Sequence, residues 1–228
     1  MGRKRHRLSG EVLKYYRFRH DIFSLFDQGI KLTEEQWYSV TPESVAVTTA
    51  IQISERYPLG TIVIDGFGGA GGNTIQFALS EYFEQVYYND LNHINTELAI
   101  HNSKIYDTFE WIQFMTKDFF SLKKDDFQNP DSGCETSDNI VIFASPPWGG
   151  PSYTSSDVWD LSTSEPSVFD IVKHCRTITN QICLFLPRTS NLDQISTLVL
   201  EGEEVLVDYV FIRGHCKGML VFLGTMVS

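Results

Sequence analysis

The chain has 228 residues, with 18 Lys and Arg against 29 Asp and Glu, a formal net charge of −11 and 42% hydrophobic residues. That is enough chain for one domain with a sizeable core, and the composition excludes wholesale disorder. The longest apolar runs are too short to span a bilayer, and the Arg/Lys-rich start lacks the apolar stretch of a secretory signal.

Four scattered cysteines, Cys134, Cys175, Cys183 and Cys216, make no C-x-x-C pair. This argues against a zinc cluster or a disulfide framework and fits a reducing, intracellular compartment. Charge is uneven: the first twenty residues hold seven Lys/Arg and one acid, Glu11, so the remainder carries −17. An acidic body is a poor general binder of polyphosphate. The basic arm, with Arg3-Lys-Arg-His-Arg7, can hold one end of an RNA, serve as a nuclear-import signal, or be a solvated tail.

In chain order, the spacing of Leu13, Tyr16, Ile22, Phe23 and Phe26 predicts an amphipathic helix over 11–27. Thr41-Pro42 reads as an N-cap with Pro in the first helical position, opening a helix to about Arg56. Strand and helix then alternate. Strands are predicted at 61–65, 86–90, 111–115, 139–144 and 181–186, with helices at 74–84 and 92–106. Residues 123–138 read as a surface loop, and 205–212 with 219–223 as a closing hairpin around Arg213-Gly214-His215. The pattern predicts an α/β, doubly wound, mostly parallel seven-stranded sheet over 59–228, preceded by a basic tail and small helical extension over 1–58. Ligands are expected at the carboxyl ends of its strands.

Asp65-Gly-Phe-Gly-Gly-Ala-Gly-Gly-Asn73 leaves a strand and enters a helix. Gly66, Gly68 and Gly71 satisfy G-x-G-x-x-G, so a nicotinamide-dependent oxidoreductase is one reading. Asp65 argues against it, since its carboxylate would repel a pyrophosphate on the following helix N-terminus. The ammonium and sulfonium of S-adenosylmethionine would instead be attracted. Asp90, 25 residues on, can accept both ribose hydroxyls, with Asn89 a possible competitor, and Asp118 is placed for the adenine amino group. Each acid alone could equally cap a helix or form a turn.

After the fourth strand comes Ser145-Pro-Pro-Trp-Gly-Gly-Pro151. Paired prolines fix an extended backbone, so the Ser145 hydroxyl and Pro146 carbonyl can both accept from one exocyclic amino group. Trp148 offers a plane for the base. The alternative is a proline-rich turn with a core Trp. Transfer to an amino group is mainly an orientation problem, because a sulfonium leaving group is already activated. No Ser-His-Asp triad, P-loop or metal cluster is evident, and no metal is expected.

Gly29-Ile-Lys-Leu32, Trp37-Tyr-Ser-Val-Thr-Pro-Glu43, Gly71-Gly-Asn-Thr-Ile-Gln-Phe-Ala78, the Ser145–Pro151 motif and Phe185-Leu-Pro-Arg188 together resemble the trimethylguanosine synthase family. The resemblance runs from about Lys14 to the end of the chain. It implies a class I, Rossmann-like methyltransferase fold and two methyl transfers from S-adenosylmethionine to the 2-amino group of a 7-methylguanosine cap. The products would be S-adenosylhomocysteine and 2,2,7-trimethylguanosine caps on small nuclear, small nucleolar and telomerase RNAs. It further implies that Lys31, Tyr153, Arg188 and Lys217 contact the cap triphosphate, and that Thr41 and Asn73, with Gly68 and Gly71, help hold the cofactor. Components of small RNA–protein particles would be partners, a membrane would not, and the location would be the nucleus and nucleolus, with the cytoplasm as a further site. A ribosomal-RNA guanine or adenine amino-methyltransferase and a non-catalytic cap-binding module are the competing readings.

Overall fold

The computed structural model describes residues 12–127, 139–149 and 157–224. Tyr153 and the basic arm lie outside them. The predicted helix over 11–27 is three pieces: α1 (Val12–Tyr16), α2 (Arg19–Ile22) and a 3-10 turn at Phe26–Gln28. Phe18, at φ −105° and ψ 15°, interrupts the first two. The break follows from packing. Tyr16 lies against Phe26 and Trp37, while Phe23 turns inward to Tyr106, and no single straight helix reaches both. Phe23, Phe26, Trp37 and Tyr106, with Val12, Ile22 and Ile30, form a small core that closes on Ala70 and Ile75.

Next come α3 (Gln36–Ser39) and α4 (Glu43–Arg56). Thr41 does not cap α4. Pro42 occupies the cap position without a side-chain bond, and Thr41 is buried, facing elsewhere. Glu43 Oε2 accepts from the Ser24 N–H (2.7 Å) and the Tyr106 hydroxyl (2.5 Å), pinning the N-terminal segment to the body.

The body follows as β1 (Ile62–Asp65), α5 (Gly72–Leu79), β2 (Gln85–Asn89), α6 (His93–Ile105), β3 (Ile112–Met115), β4 (Ile140–Ala144), α7 (Val168–Cys175), β5 (Gln181–Leu186), α8 (Leu192–Ser196), β6 (Glu204–Ile212) and β7 (His215–Gly224). Helix α5 starts and ends earlier than the predicted 74–84, because the chain must turn at Glu81, in the left-handed region at φ 54°, to enter β2. Helix α7 was not predicted, although its reciprocal Ser167–Asp170 capping pair is a readable start signal.

The strands form one sheet of order β3-β2-β1-β4-β5-β7-β6, parallel except for β7, which runs antiparallel to both neighbours. Ile62 and Ile64 pack on one face while Val63 packs on the other, and β4 and β5 alternate likewise. Both faces are covered, which explains the near-continuous apolar runs. The β6–β7 turn places Arg213 and Gly214 at φ 49° and 78°, as a two-residue mirror-image hairpin requires. Strand order reverses between β1 and β4, so a crevice opens at their carboxyl ends.

Candidate active site

Every predicted site residue from Asp65 to Arg188 within the described chain lies at or just beyond the carboxyl end of a parallel strand, or in the first turn of α5. Asp65 ends β1, Asp90 follows β2, Asp118 follows β3, Ser145 follows β4, and Arg188 lies two residues past β5.

The glycine loop is held to β2 and β4. The Gly66 N–H donates to Phe143 O (2.9 Å), the Gly68 N–H to Asn89 O (2.9 Å), and the Tyr88 hydroxyl to Gly69 O (2.8 Å). A Cβ on Gly68 would lie 2.2 Å from the Tyr88 ring, so only glycine permits this approach. Gly71 caps α5 at φ 85°, in the left-handed region that favours glycine.

Asp65 is 1% exposed. Its Oδ2 accepts from Thr74 Oγ1 (2.6 Å), whereas Oδ1 has no hydrogen-bond partner. Burial pushes its carboxyl up to about 7. The Thr74 hydroxyl is the main opposing influence, and the nearby Asp90 charge adds to the rise. The Phe67 and Thr74 N–H groups face the carboxylate and oppose the rise without closing a bond on Oδ1. Asn73, the residue before Thr74, donates through Nδ2 to Thr41 Oγ1 (3.0 Å) and keeps a buried Oδ1 without a partner. Two buried acceptors without donors are costly unless something supplies them. A cationic group with N–H donors, such as the amino-acid portion of S-adenosylmethionine, fits that need.

Asp90 is built differently. Its Oδ2 accepts from the Gly69 N–H (2.9 Å), its Oδ1 from the Asn92 N–H (2.8 Å), and Asn95 Nδ2 lies 3.2 Å from both oxygens. Asn89 is not a competitor for a ribose. It is fully buried, with Nδ2 donating to Lys117 O (3.1 Å) and Oδ1 accepting from the Lys117 N–H (3.1 Å), so it ties β2 to the end of β3. Asp118 is exposed and spends Oδ1 on the Phe120 N–H (3.0 Å), capping a 3-10 turn at Phe119–Ser121. Exposed apolar side chains follow both acids, Leu91 directly after Asp90 and Phe120 two residues after Asp118.

Across the β1–β4 crevice, Ser145 is half-buried and Pro146 buried. The Trp148 indole Nε1 donates to Phe185 O (3.3 Å), and its ring lies 5.3 Å from the Phe185 ring at 51°. Beneath Phe185, Gly218 leaves no room for a Cβ, which would sit 2.6 Å from that ring. Lys31, Arg188 and Lys217 are all exposed. Lys217 is the extra residue of a bulge where pairing jumps from Phe211–Cys216 to Val210–Gly218. The sequence reading missed Thr74, Asn95 and Asn102. Each is an isolated polar residue on a helix, and only Thr74 falls inside a recognisable motif.

A mostly parallel seven-stranded sheet with an antiparallel β7 and a glycine loop after β1 defines a class I S-adenosylmethionine-dependent methyltransferase. Solved structures share the fold. A Porphyromonas gingivalis W83 protein assigned as a methyltransferase superposes with a TM-score of 0.62 at 17% identity, covering 93% of this chain and 48% of its own. TrmK of M. capricolum, solved with S-adenosyl-homocysteine, gives 0.52 at 11% identity over 78% and 67%.

The chain belongs to the RNA cap guanine-N2 methyltransferase family, whose profile matches residues 60–226. It is 32% identical to trimethylguanosine synthase of Schizosaccharomyces pombe, over 92% of this chain and 84% of the relative. It is 31% identical to trimethylguanosine synthase of Saccharomyces cerevisiae, over 95% and 68%. The family implies S-adenosylmethionine as methyl donor and RNA as substrate.

Proposed function

We propose that this methyltransferase converts the 7-methylguanosine cap of small nuclear, small nucleolar and telomerase RNAs to 2,2,7-trimethylguanosine by two successive transfers. The observation that carries the residue-level reading is the Trp148 indole, fixed by its bond to Phe185 O just beyond Ser145 and Pro146. A 7-methylated guanine is cationic, and stacking on an indole favours it over neutral guanine by about 0.5 to 2 kcal/mol. Base charge then favours a 7-methylated substrate by about 2- to 30-fold.

S-adenosylmethionine supplies an electrophilic methyl on a sulfonium. Asp65, Asn73 and Thr41 hold its amino-acid portion, Asp90 takes the ribose hydroxyls, and Asp118 reads the adenine amino group between Leu91 and Phe120. The Ser145 hydroxyl and Pro146 carbonyl accept the two N–H bonds of the guanine 2-amino group and aim its nitrogen at the methyl. Orientation is the main contribution of the chain, and the proton released after transfer passes to solvent. Lys31, Arg188 and Lys217, with Tyr153 outside the described residues, contact the triphosphate. A few such contacts on an acidic body give binding to a capped end and little affinity for RNA interiors. A nuclear and nucleolar location, and recruitment through small RNA–protein particle components, accompany this reading.

The test is methyl transfer to 7-methylguanosine and unmethylated guanosine cap analogues. Strong preference for the former is expected, and equal transfer to both would refute selection by charge. Trp148→Ala should abolish turnover while Trp148→Phe retains part of it, and wild-type rates in Trp148→Ala would remove the stacking role.

A further inference from the structure

Thr33 and Gln36 form a reciprocal pair at the start of α3. The Thr33 N–H donates to Gln36 Oε1 (2.9 Å), and the Gln36 N–H to Thr33 Oγ1 (3.2 Å). That leaves Gln36 Nε2 to donate to Asn95 Oδ1 (3.0 Å), which orients the Asn95 amide so that its Nδ2 faces both oxygens of Asp90. Gln36 is 4% exposed, so this contact is shielded from water. Asn102 lies seven residues after Asn95 on the same face of α6. It is fully buried, accepts from the Lys31 N–H and donates to Lys31 O and Ala70 O, each at 3.0 Å. The segment from Lys31 to Gln36 is therefore fastened at both ends to one face of α6. Each fastening also touches the cofactor side, through Asp90 at one end and the glycine loop at the other.

We propose that Gln36 and Asn95 are positioning residues that hold the Asp90 carboxylate toward the cofactor ribose, so that cofactor binding and seating of the Lys31 segment on the cap strengthen each other. The inference rests on the roles given above to Asp90 and Lys31. Ordering a shared element for one ligand lowers what the second must supply, and the coupling is reciprocal. Asn95 provides the only side-chain donor to Asp90 among the described contacts, and its orientation is set from the N-terminal segment rather than from the body.

Gln36→Glu separates this role from a structural one. Glu is equally suited to the reciprocal pair with Thr33, so the start of α3 is retained. The introduced carboxylate has no N–H for Asn95. If Asn95 turns its amide to donate to it, its carbonyl meets Asp90. Gln36→Met removes the donor without adding charge and serves as the second variant.

Titration with S-adenosylhomocysteine should show Kd raised roughly 3- to 10-fold in both variants, while the buried carboxylate of Gln36→Glu and the lost Thr33 bond of Gln36→Met each lower the unliganded melting temperature. KM for S-adenosylmethionine should rise while kcat at saturation changes little. The affinity gain that a 7-methylguanosine triphosphate cap analogue confers on S-adenosylhomocysteine should shrink toward none. In an Asp90→Asn background the effect of Gln36→Glu on Kd should vanish, whereas a purely structural defect would add in full. Unchanged or tighter cofactor binding in both variants, or full additivity with Asp90→Asn, overturns the inference. If Asp90→Asn itself leaves Kd unchanged, or Lys31→Ala leaves cap affinity unchanged, the underlying site reading falls with it.

Discussion

Asp65 is the residue at which stability and binding oppose each other most plainly, and Asp65→Asn measures both. Its carboxyl stands at about 7 rather than its ordinary 3.8, because burial disfavours the charged form more than the Thr74 hydroxyl supports it. A rise of that size corresponds to roughly 4 kcal/mol of ionisation cost in the unliganded fold. Between about pH 4 and pH 7 the folded chain binds more protons than the unfolded chain, so this group lowers stability as pH rises through that window. Asparagine copies the protonated acid in shape and charge and removes the slope. The stability difference in favour of Asp65→Asn should therefore grow by about 2.5 kcal/mol between pH 5 and pH 8.

Denaturant unfolding of both proteins across that range, with and without saturating S-adenosylhomocysteine, is the assay. Without ligand the variant should be the more stable at pH 8. With ligand the gap should narrow to about 1.5 kcal/mol, because at 100 times Kd the wild type gains about 2.7 kcal/mol that a non-binding variant does not. Cofactor affinity of the wild type should weaken on acidification below about pH 7, by at most about tenfold per pH unit, as Asp65 takes up a proton. Parallel pH profiles, or undiminished binding by Asp65→Asn, would refute the account of a strained carboxylate awaiting a cation.

Gly68→Ala should lose cofactor binding and about 1 to 3 kcal/mol of stability, read by titration and denaturant unfolding, since its Cβ would enter the buried Tyr88 ring. Gly218→Ala should displace Phe185, whose ring and carbonyl support Trp148. KM for the cap analogue should rise while Kd for S-adenosylhomocysteine stays near wild type. Asn89→Ala strips two buried backbone contacts to Lys117 and should cost about 2 kcal/mol or more, checked by denaturant midpoint.

The sheet was legible because β1, β4 and β5 are buried on both faces and so read as unbroken apolar runs between turn residues. The acids at strand ends were legible for the same reason, since a strand's end fixes where the next side chain emerges. The N-terminal segment was not. Its aromatic residues repeat near a helical spacing, yet Tyr16 and Phe23 serve two different neighbours, and only tertiary packing reveals that the chain must break at Phe18. Thr41-Pro42 has the form of a cap, but the Thr41 hydroxyl instead accepts from Asn73 Nδ2 across the fold. Likewise Asn89, Asn95 and Asn102 carry no motif. Their value lies in holding both a donor and an acceptor, and the partners sit up to 71 residues away in the chain.

Asp65 and Asp90 differ in how the protein answers their charge, and under the proposed function that difference gives them different tasks beside one ligand. Each oxygen of Asp90 already accepts a backbone N–H, and Asn95 faces both, so its negative charge is answered by the protein itself. Such a group suits neutral hydroxyls, which need only acceptors of fixed direction. Asp65 has a hydroxyl donor on Oδ2 and the Phe67 and Thr74 N–H groups facing it, yet burial still raises its carboxyl and Oδ1 has no partner, so part of its charge is left to be answered by whatever binds. A cation lowers the cost of that charge, whereas a phosphate would raise it. The glycine loop between them is compatible with either class of ligand. Under the proposed function, the unequal provision of donors to these two acids favours a sulfonium amino acid over a dinucleotide.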